Sequence, residues 1–293
     1  MEQLFYFEHS QLLAQKLSKT THISLGKFDY RRFPDDESYI RVQTDVIGKR
    51  VGVVCGLEYP DMKLIPLYFL VKTLKELGAS HVTLISPYLS YMRQDKRFQP
   101  GEAITSNYFA SLLSSLVDEL ITIDPHLHRH HNLSEIYTIP THLLHAASLL
   151  SEWIKNTVSN PIIVGPDGES EQWVSDVASM ADCPYVVLEK VRHGDRNVEI
   201  TFPQLERYRS YTPVLVDDII STARTMIKTV THLNSLQLAS PVCIGVHGLF
   251  AGDAFDALKQ SGVGDIVTTT AIPHTSNKID ITPLITSCLE EKS

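Results

Sequence analysis

The stretch VLVDDIISTARTM, Val214 to Met226, decides how the chain is read. Three apolar residues run into two adjacent acids, Asp217 and Asp218. Two further apolar residues lead into a cluster of small and hydroxyl residues, Ser221, Thr222, Ala223 and Thr225. The pattern predicts a buried strand, a tight turn and the start of a helix. In an open parallel sheet, ligands sit beyond the carboxyl ends of strands, where loops lead into helix N-termini. Unpaired amides and a partial positive charge at such an N-terminus suit a phosphate. Hydroxyls add donors, and small residues let the backbone close around the anion. Asp217 and Asp218 would repel a phosphate, but they can accept from sugar hydroxyls or hold a metal ion. A ribose carrying a 5′-phosphate satisfies both halves. The alternative is that Ser221 caps the helix and the acids are merely solvated. Capping accounts for Ser221 but not for two acids in series behind a buried strand.

Working outward, the same alternation recurs. Strands are expected at 50–57, 81–87, 119–124, 161–166, 185–191, 213–218, 242–248 and 265–272, all rich in Val, Ile and Thr with little polar alternation. Such runs suit parallel strands covered on both faces. Helices are expected at 62–77, 103–116, 141–156, 171–181, 222–236 and 251–260, with Gly78 and Gly262 as C-terminal stops. Strand–helix alternation of this kind predicts βαβ units and an α/β fold with doubly wound parallel sheets. An acid-ended strand occurs in each half, at Asp124 and at Asp217–Asp218. We therefore expect two similar domains, 1–140 and 141–293; one long sheet is the alternative.

The 293 residues carry 26 Lys and Arg against 34 Asp and Glu, a net charge of −8, which argues against a general nucleic-acid or anionic-membrane binder. Cys55, Cys183, Cys243 and Cys288 show no paired spacing and read as buried thiols of a reducing compartment. No basic-then-apolar leader and no membrane-length apolar run is visible, so a cytoplasmic protein is expected.

VLVDDIISTART resembles the ribose-5-phosphate signature of the type I phosphoribosyltransferase fold. Five more segments, in matching order over essentially the whole chain, resemble the ribose-phosphate pyrophosphokinase family: RRFPDDESYIRV, PYLSYMRQDKRF, ITIDPHLH, VGPDGESEQWV and LEKVRHGDRNVEI. The closing segments VHGLFAGDA and TTAIPHTSNKIDITPLI are similar to it as well. The resemblance implies ATP and ribose 5-phosphate as substrates, Mg2+ as cofactor, and a homo-oligomer, dimer or hexamer.

It also implies roles. Lys190 and Arg192 become catalytic cations, with Arg192 also touching the ribose phosphate. By composition alone, a KxR before the turn-like HGDRN is as readily a solvated turn. Asp217, Asp218 and the loop Ser221, Thr222, Ala223, Arg224 and Thr225 become the ribose-5-phosphate site. Asp167, Gly168, Glu169 and Ser170, between a strand and a helix N-terminus, become the pyrophosphate loop. Arg93, Gln94 and Asp95 contact ATP. Phe33, Asp35, Asp36 and Glu37 are lent to a neighbouring subunit's adenine; by composition alone they are an exposed acidic turn. His126 and Asp167 become magnesium ligands. Imidazole is an unusual ligand for so hard an ion, so contact through water or the nucleotide is equally open for His126. His126 and His130 have a zinc-like i,i+4 spacing, but Pro125 disfavours a helix there.

Five residues depart from the family's pattern, and the two in the ribose loop mark a divergent branch, on the side of the family's archaeal-type enzymes. Glu169 and Ser170 replace small residues, Asp36 replaces a glycine, and Ala223 and Arg224 stand where glycines are common. The activity implied is transfer of a diphosphoryl group from ATP to ribose 5-phosphate. The alternatives are a phosphoribosyltransferase that consumes that product, and a catalytically silent regulatory homologue.

Overall fold

The computed structural model describes residues 1–127, 129–165, 171–193, 197–201 and 205–291, and between 189 and 206 it describes backbone only. The chain divides into two compact units. The first comprises Met1–His145, Ala271–Pro273 and Thr282–Ser293; the second comprises Ala146–Thr270 and His274–Ile281.

The first unit contains β1 (Gln3–Tyr6), α1 (Gln11–Thr21), β2 (Ser24–Leu25), the antiparallel hairpin β3 (Phe28–Arg32) and β4 (Ser38–Val42), β5 (Arg50–Val54), α2 (Asp61–Glu76), β6 (His81–Ile85), α3 (Thr105–Leu116), β7 (Glu119–Ile123) and β8 (Thr141–Leu144). Its sheet has the order β2-β1-β5-β6-β7-β8, parallel throughout.

The second unit repeats the scheme. It contains α4 (Ala147–Thr157), β9 (Pro161–Gly165), α5 (Glu171–Ala181), β10 (Tyr185–Val187), the antiparallel hairpin β11 (Glu189–His193) and β12 (Asn197–Thr201), β13 (Thr212–Ile220), α6 (Arg224–Ser235), β14 (Val242–Gly248), α7 (Ala254–Gln260), β15 (Asp265–Thr269) and β16 (Asn277–Ile279). Its sheet order is β10-β9-β13-β14-β15-β16, again parallel. Strand for strand, and hairpin for hairpin, the two orders are the same. The C-terminal helix α8 (Thr282–Glu290) joins the first unit, where it packs on α1 as α4 packs on α5.

Burial explains the apolar runs. Val51, Val53 and Val54 of β5 are fully buried, and all seven residues of β14 are buried, as strands covered on both faces must be. On α6 the buried residues are Met226, Thr229, Val230 and Leu233, the spacing of one helical face.

Several boundaries differ from the sequence reading. Residues 141–144 are the edge strand β8, not the first turn of a helix, and α4 begins only at Ala147. The strand expected at 185–191 is two elements, β10 and then β11 of a separate hairpin. β13 runs on to Ile220, beyond the two acids, and α6 and α7 start later than expected, at Arg224 and Ala254. Neither hairpin is announced by the sequence, because polar segments such as FDYRR carry little apolar patterning. Gly78 (φ 94°) and Gly262 (φ 88°) do follow helix ends in the left-handed conformation that stops a helix.

Gly245 lies opposite Asp217 in the β13–β14 ladder, and a Cβ there would come within 2.6 Å of Ile220 Cγ1. Gly245→Ala should therefore cost about 1–3 kcal/mol through overpacking. An unchanged urea midpoint would show that this contact does not limit the approach of β13 to β14.

Candidate active site

In a doubly wound sheet the ligand crevice opens where neighbouring strands send their crossovers in opposite directions. In the second unit that point lies between β9 and β13. β9 leads through α5 to β10 on one side, and β13 leads through α6 to β14 on the other. Three of the expected site segments leave from this edge.

The first segment follows β9. Asp167, Gly168, Glu169 and Ser170 themselves lie outside the described residues, but β9 ends at Gly165 and α5 begins at Glu171. The second follows β10, whose Val187 pairs with Gly165, while the Leu188 N–H donates to the Gly165 carbonyl at 3.0 Å. From there the β11–β12 hairpin departs, with Lys190 opposite Ile200 and Arg192 opposite Val198. The third is the tip of β13. It pairs with β9 only over Thr212–Leu215, yet stays paired with β14 as far as Ile220. Asp217 and Asp218 sit on the part that has outrun β9.

Each acid turns back on its own chain. Asp217 Oδ1 accepts from the Asp218 N–H at 3.0 Å, and Asp218 Oδ1 accepts from the Ile219 N–H at 2.7 Å. Ser221 is not the helix cap. The N-cap is Ala223, at φ 55° and ψ 5°, with no side-chain cap bond. A left-handed non-glycine residue costs about 1–2 kcal/mol, so the family's glycine at this turn has a conformational reason that Ala223 meets under strain. Thr222, Arg224 and Thr225 are exposed and Ser221 is half-buried.

The remaining expected residues belong to the first unit. The turn between β3 and β4 carries Phe33, Asp35, Asp36 and Glu37, closed by Phe33 N–H to the Glu37 carbonyl at 2.8 Å. Asp36 has φ 67°, which explains the family's glycine there; Asp is among the few side chains that tolerate it. The Phe33 ring lies 4.5 Å from the Arg31 guanidinium and edge-on to Tyr39, yet remains 39% exposed. Asp36 and Glu37 line a cavity of about 650 Å³ with Arg32, Asp61, Met62 and Phe69 among its walls.

Beyond β6, Arg93 is exposed and Gln94 is half-buried, its carbonyl accepting from the Ser106 N–H at 3.3 Å. Asp95 is held by Arg129 at 2.6 Å, so one of its oxygens is already committed. Beyond β7, Asp124 (φ 35°) and His126 (φ 34°) form a tight turn rather than a helix, and Asp124 Oδ1 bonds His145 Nδ1 at 3.0 Å. His130 is engaged by Glu135 at 3.0 Å, and His128 lies outside the described residues.

Among the described residues no three His, Cys, Asp or Glu side chains gather as a metal cage. No helix among them is long and apolar enough to cross a membrane. The four cysteines are free thiols, and burial raises Cys55 to about 12.

Comparison with known proteins agrees with this layout. Residues 3–116 match the N-terminal domain of ribose phosphate pyrophosphokinase, and residues 132–269 match the phosphoribosyl transferase domain. The ribose-phosphate pyrophosphokinase of Sulfolobus acidocaldarius is 32% identical over 271 residues, covering 91% of this chain and 92% of that one. That of Methanothermobacter thermautotrophicus is 32% identical over 284 residues, covering 96% and 98%. The crystal structure of phosphoribosylpyrophosphate synthetase from Mycobacterium smegmatis has the same fold over the full length of both chains, with a TM-score of 0.87 at 21% identity. With both domains matched in order and near-complete relatives at this identity, the chain belongs to the ribose-phosphate pyrophosphokinase family.

Proposed function

We propose that the chain transfers the β,γ-diphosphoryl group of ATP to the anomeric hydroxyl of ribose 5-phosphate, giving AMP and 5-phospho-α-D-ribose 1-diphosphate. The observation that carries this reading is the convergence at one sheet edge. The 166–170 segment, the Lys190–Arg192 hairpin and the Asp217–Thr225 turn all leave from the carboxyl ends of β9, β10 and β13.

In this reading the Ser221–Thr225 turn and the N-terminus of α6 hold the sugar phosphate, while Asp217 and Asp218 accept from ribose hydroxyls. The 166–170 segment cradles the diphosphate. Arg93, Gln94 and Asp95 hold ATP in the first unit, and Phe33, Asp35, Asp36 and Glu37 are lent to the adenine of a neighbouring copy. The anomeric oxygen attacks the β-phosphorus in line, and AMP leaves with the bridging oxygen's electron pair. Catalysis of this kind consists mainly of positioning two anions and neutralising charge. Lys190 supplies a point charge, and Arg192 supplies a fork of donors that can clamp a phosphate.

Magnesium fits this scheme without a preformed cage. The ion is commonly held by one or two carboxylates together with substrate phosphates; Asp167 would supply a carboxylate, and His126 would act through water or the nucleotide. When bound, it would neutralise phosphate charge. Assignment to a cytoplasmic compartment belongs to the same reading.

Replacing Lys190 with Ala should lower kcat for AMP formation by about 10²–10³-fold, the cost of removing one preorganised charge donor. A change confined to KM would contradict a transition-state role. The lent hairpin gives a second expectation. A Lys190→Ala subunit and a Phe33→Ala, Glu37→Gln subunit, each nearly inactive, should recover about a quarter of wild-type activity when refolded together, because half the resulting dimers carry one intact site. No recovery would mean that the hairpin serves its own subunit.

A further inference from the structure

Arg93, Gln94 and Asp95 lie in the connection from β6 to α3, and Arg129 lies in the connection from β7 to β8. β6 and β7 are adjacent parallel strands, so both connections leave from the same end of the first unit's sheet. Arg129 stands one residue past the segment ITIDPHLH, and the family resemblance gives it no role.

One ion pair joins the two connections. Arg129 Nη1 lies 2.6 Å from Asp95 Oδ1; the Asp95 side chain is 4% exposed and that of Arg129 44%. A carboxylate covered so completely is costly without a counter-charge. Among the described residues, Arg129 is the cation that supplies it. An ion pair with one end in water adds little net stability, so its main consequence is geometric. It holds the carboxylate of the expected ATP segment in one place.

Both partners are braced by their own loops. The Gln94 carbonyl accepts from the Ser106 N–H at 3.3 Å, and the Tyr91 carbonyl accepts from Thr105 Oγ1 at 3.4 Å, which fixes the segment against the start of α3. Past Asp95, Glu102 Oε2 accepts from the Phe98 and Gln99 N–H groups at 2.8 and 3.1 Å. These bonds set the Phe98 ring, and Arg129 Cζ lies 5.8 Å from its centroid. Arg129 thus meets the same loop at two points, Asp95 and Phe98. On its own side, Glu135 lies 3.0 Å from His130 Nδ1 and accepts from the His131 N–H at 2.9 Å. A planar guanidinium suits the double contact, because it can bond a carboxylate through its edge and lie against an aromatic face. Without it the buried carboxylate would be uncompensated, and the loop would relieve the cost by turning Asp95 out to water.

We propose that Arg129 is a positioning residue for ATP: it holds Asp95 and the loop from 93 to 98 in the shape that receives the nucleotide, without contacting the nucleotide itself. This rests on the reading of Arg93, Gln94 and Asp95 as the ATP segment.

The test is calorimetric titration of the full chain with magnesium–ATP in the absence of ribose 5-phosphate, followed by steady-state kinetics of AMP formation. Arg129→Met removes the charge and keeps an unbranched stem against Phe98. Asp95→Asn and Arg129→Met should each weaken ATP by about tenfold, the worth of one charge-assisted hydrogen bond. The double variant should bind ATP as Asp95→Asn does, because residues that act as one unit are not additive. It buries no unpaired charge, so this comparison stands even where Arg129→Met fails to fold. In turnover, Arg129→Met should raise KM for ATP and leave KM for ribose 5-phosphate unchanged, a split that general loosening of the fold would not give. Wild-type affinity in either single variant, or a parallel rise in both KM values, would overturn the proposal. So would a double variant about tenfold weaker than Asp95→Asn, which would place Arg129 on the nucleotide itself. Each of these results leaves ATP binding by the chain in force, whereas a wild-type chain that does not bind ATP would overturn both that reading and the proposal.

Discussion

A parallel strand that outruns its neighbour leaves one side of its backbone without a sheet partner, and the rest of the second unit is arranged around one such overrun. β13 is paired with β9 as far as Leu215 and with β14 as far as Ile220. Right-handed crossovers carry α5 and α6 to opposite faces of the sheet, so neither covers the uneven edge. The step leaves Asp217 and Asp218 beside the end of β9, and their carboxylates fold back on neighbouring amides. The turn that follows ends at a strained Ala223, which starts α6 with its amide ends toward the crevice side of the sheet. Two acids and a hydroxyl-bearing turn follow together from one mismatch in strand length.

The same scheme in the first unit shows what happens without the mismatch. β1 and β5 end level, Tyr6 opposite Val54. The loop after β5 carries no hydroxyl cluster; instead Lys63 bonds the Gly56 carbonyl and Glu58. An internal ion pair takes the place that an anionic ligand holds in the reading of the second unit. Two copies of one architecture have thus been given different tasks through a few loop residues, as expected when function resides in sites carried by a fold rather than in the fold itself.

Some of this was legible in the sequence. Buried parallel strands announce themselves as Val and Ile runs, and VLVDDIISTART combines such a run with a turn that few other structures would need. The doubled fold could be expected from two acid-ended strands. The hairpins could not. FDYRR is mostly exposed and SYIRV only half-buried, so neither carries the apolar run of a strand covered on both faces. THLL in β8 is short enough to fit a helix or a strand pattern, and only its long-range pairing with β7 decides for the strand. The C-terminal helix reads as the end of the second half, although it packs on α1, for the same reason. The glycine positions taken by Asp36 and Ala223 read as departures from the family, and positive φ at both explains them.

The most direct test of the account is phosphorus NMR of the purified chain with ATP, magnesium and ribose 5-phosphate. The account predicts that the ATP signals give way to AMP and a sugar-linked diphosphate in equal amounts, and only when ribose 5-phosphate is present. Formation of ADP with a sugar monophosphate, or AMP release that does not require the sugar, would contradict it.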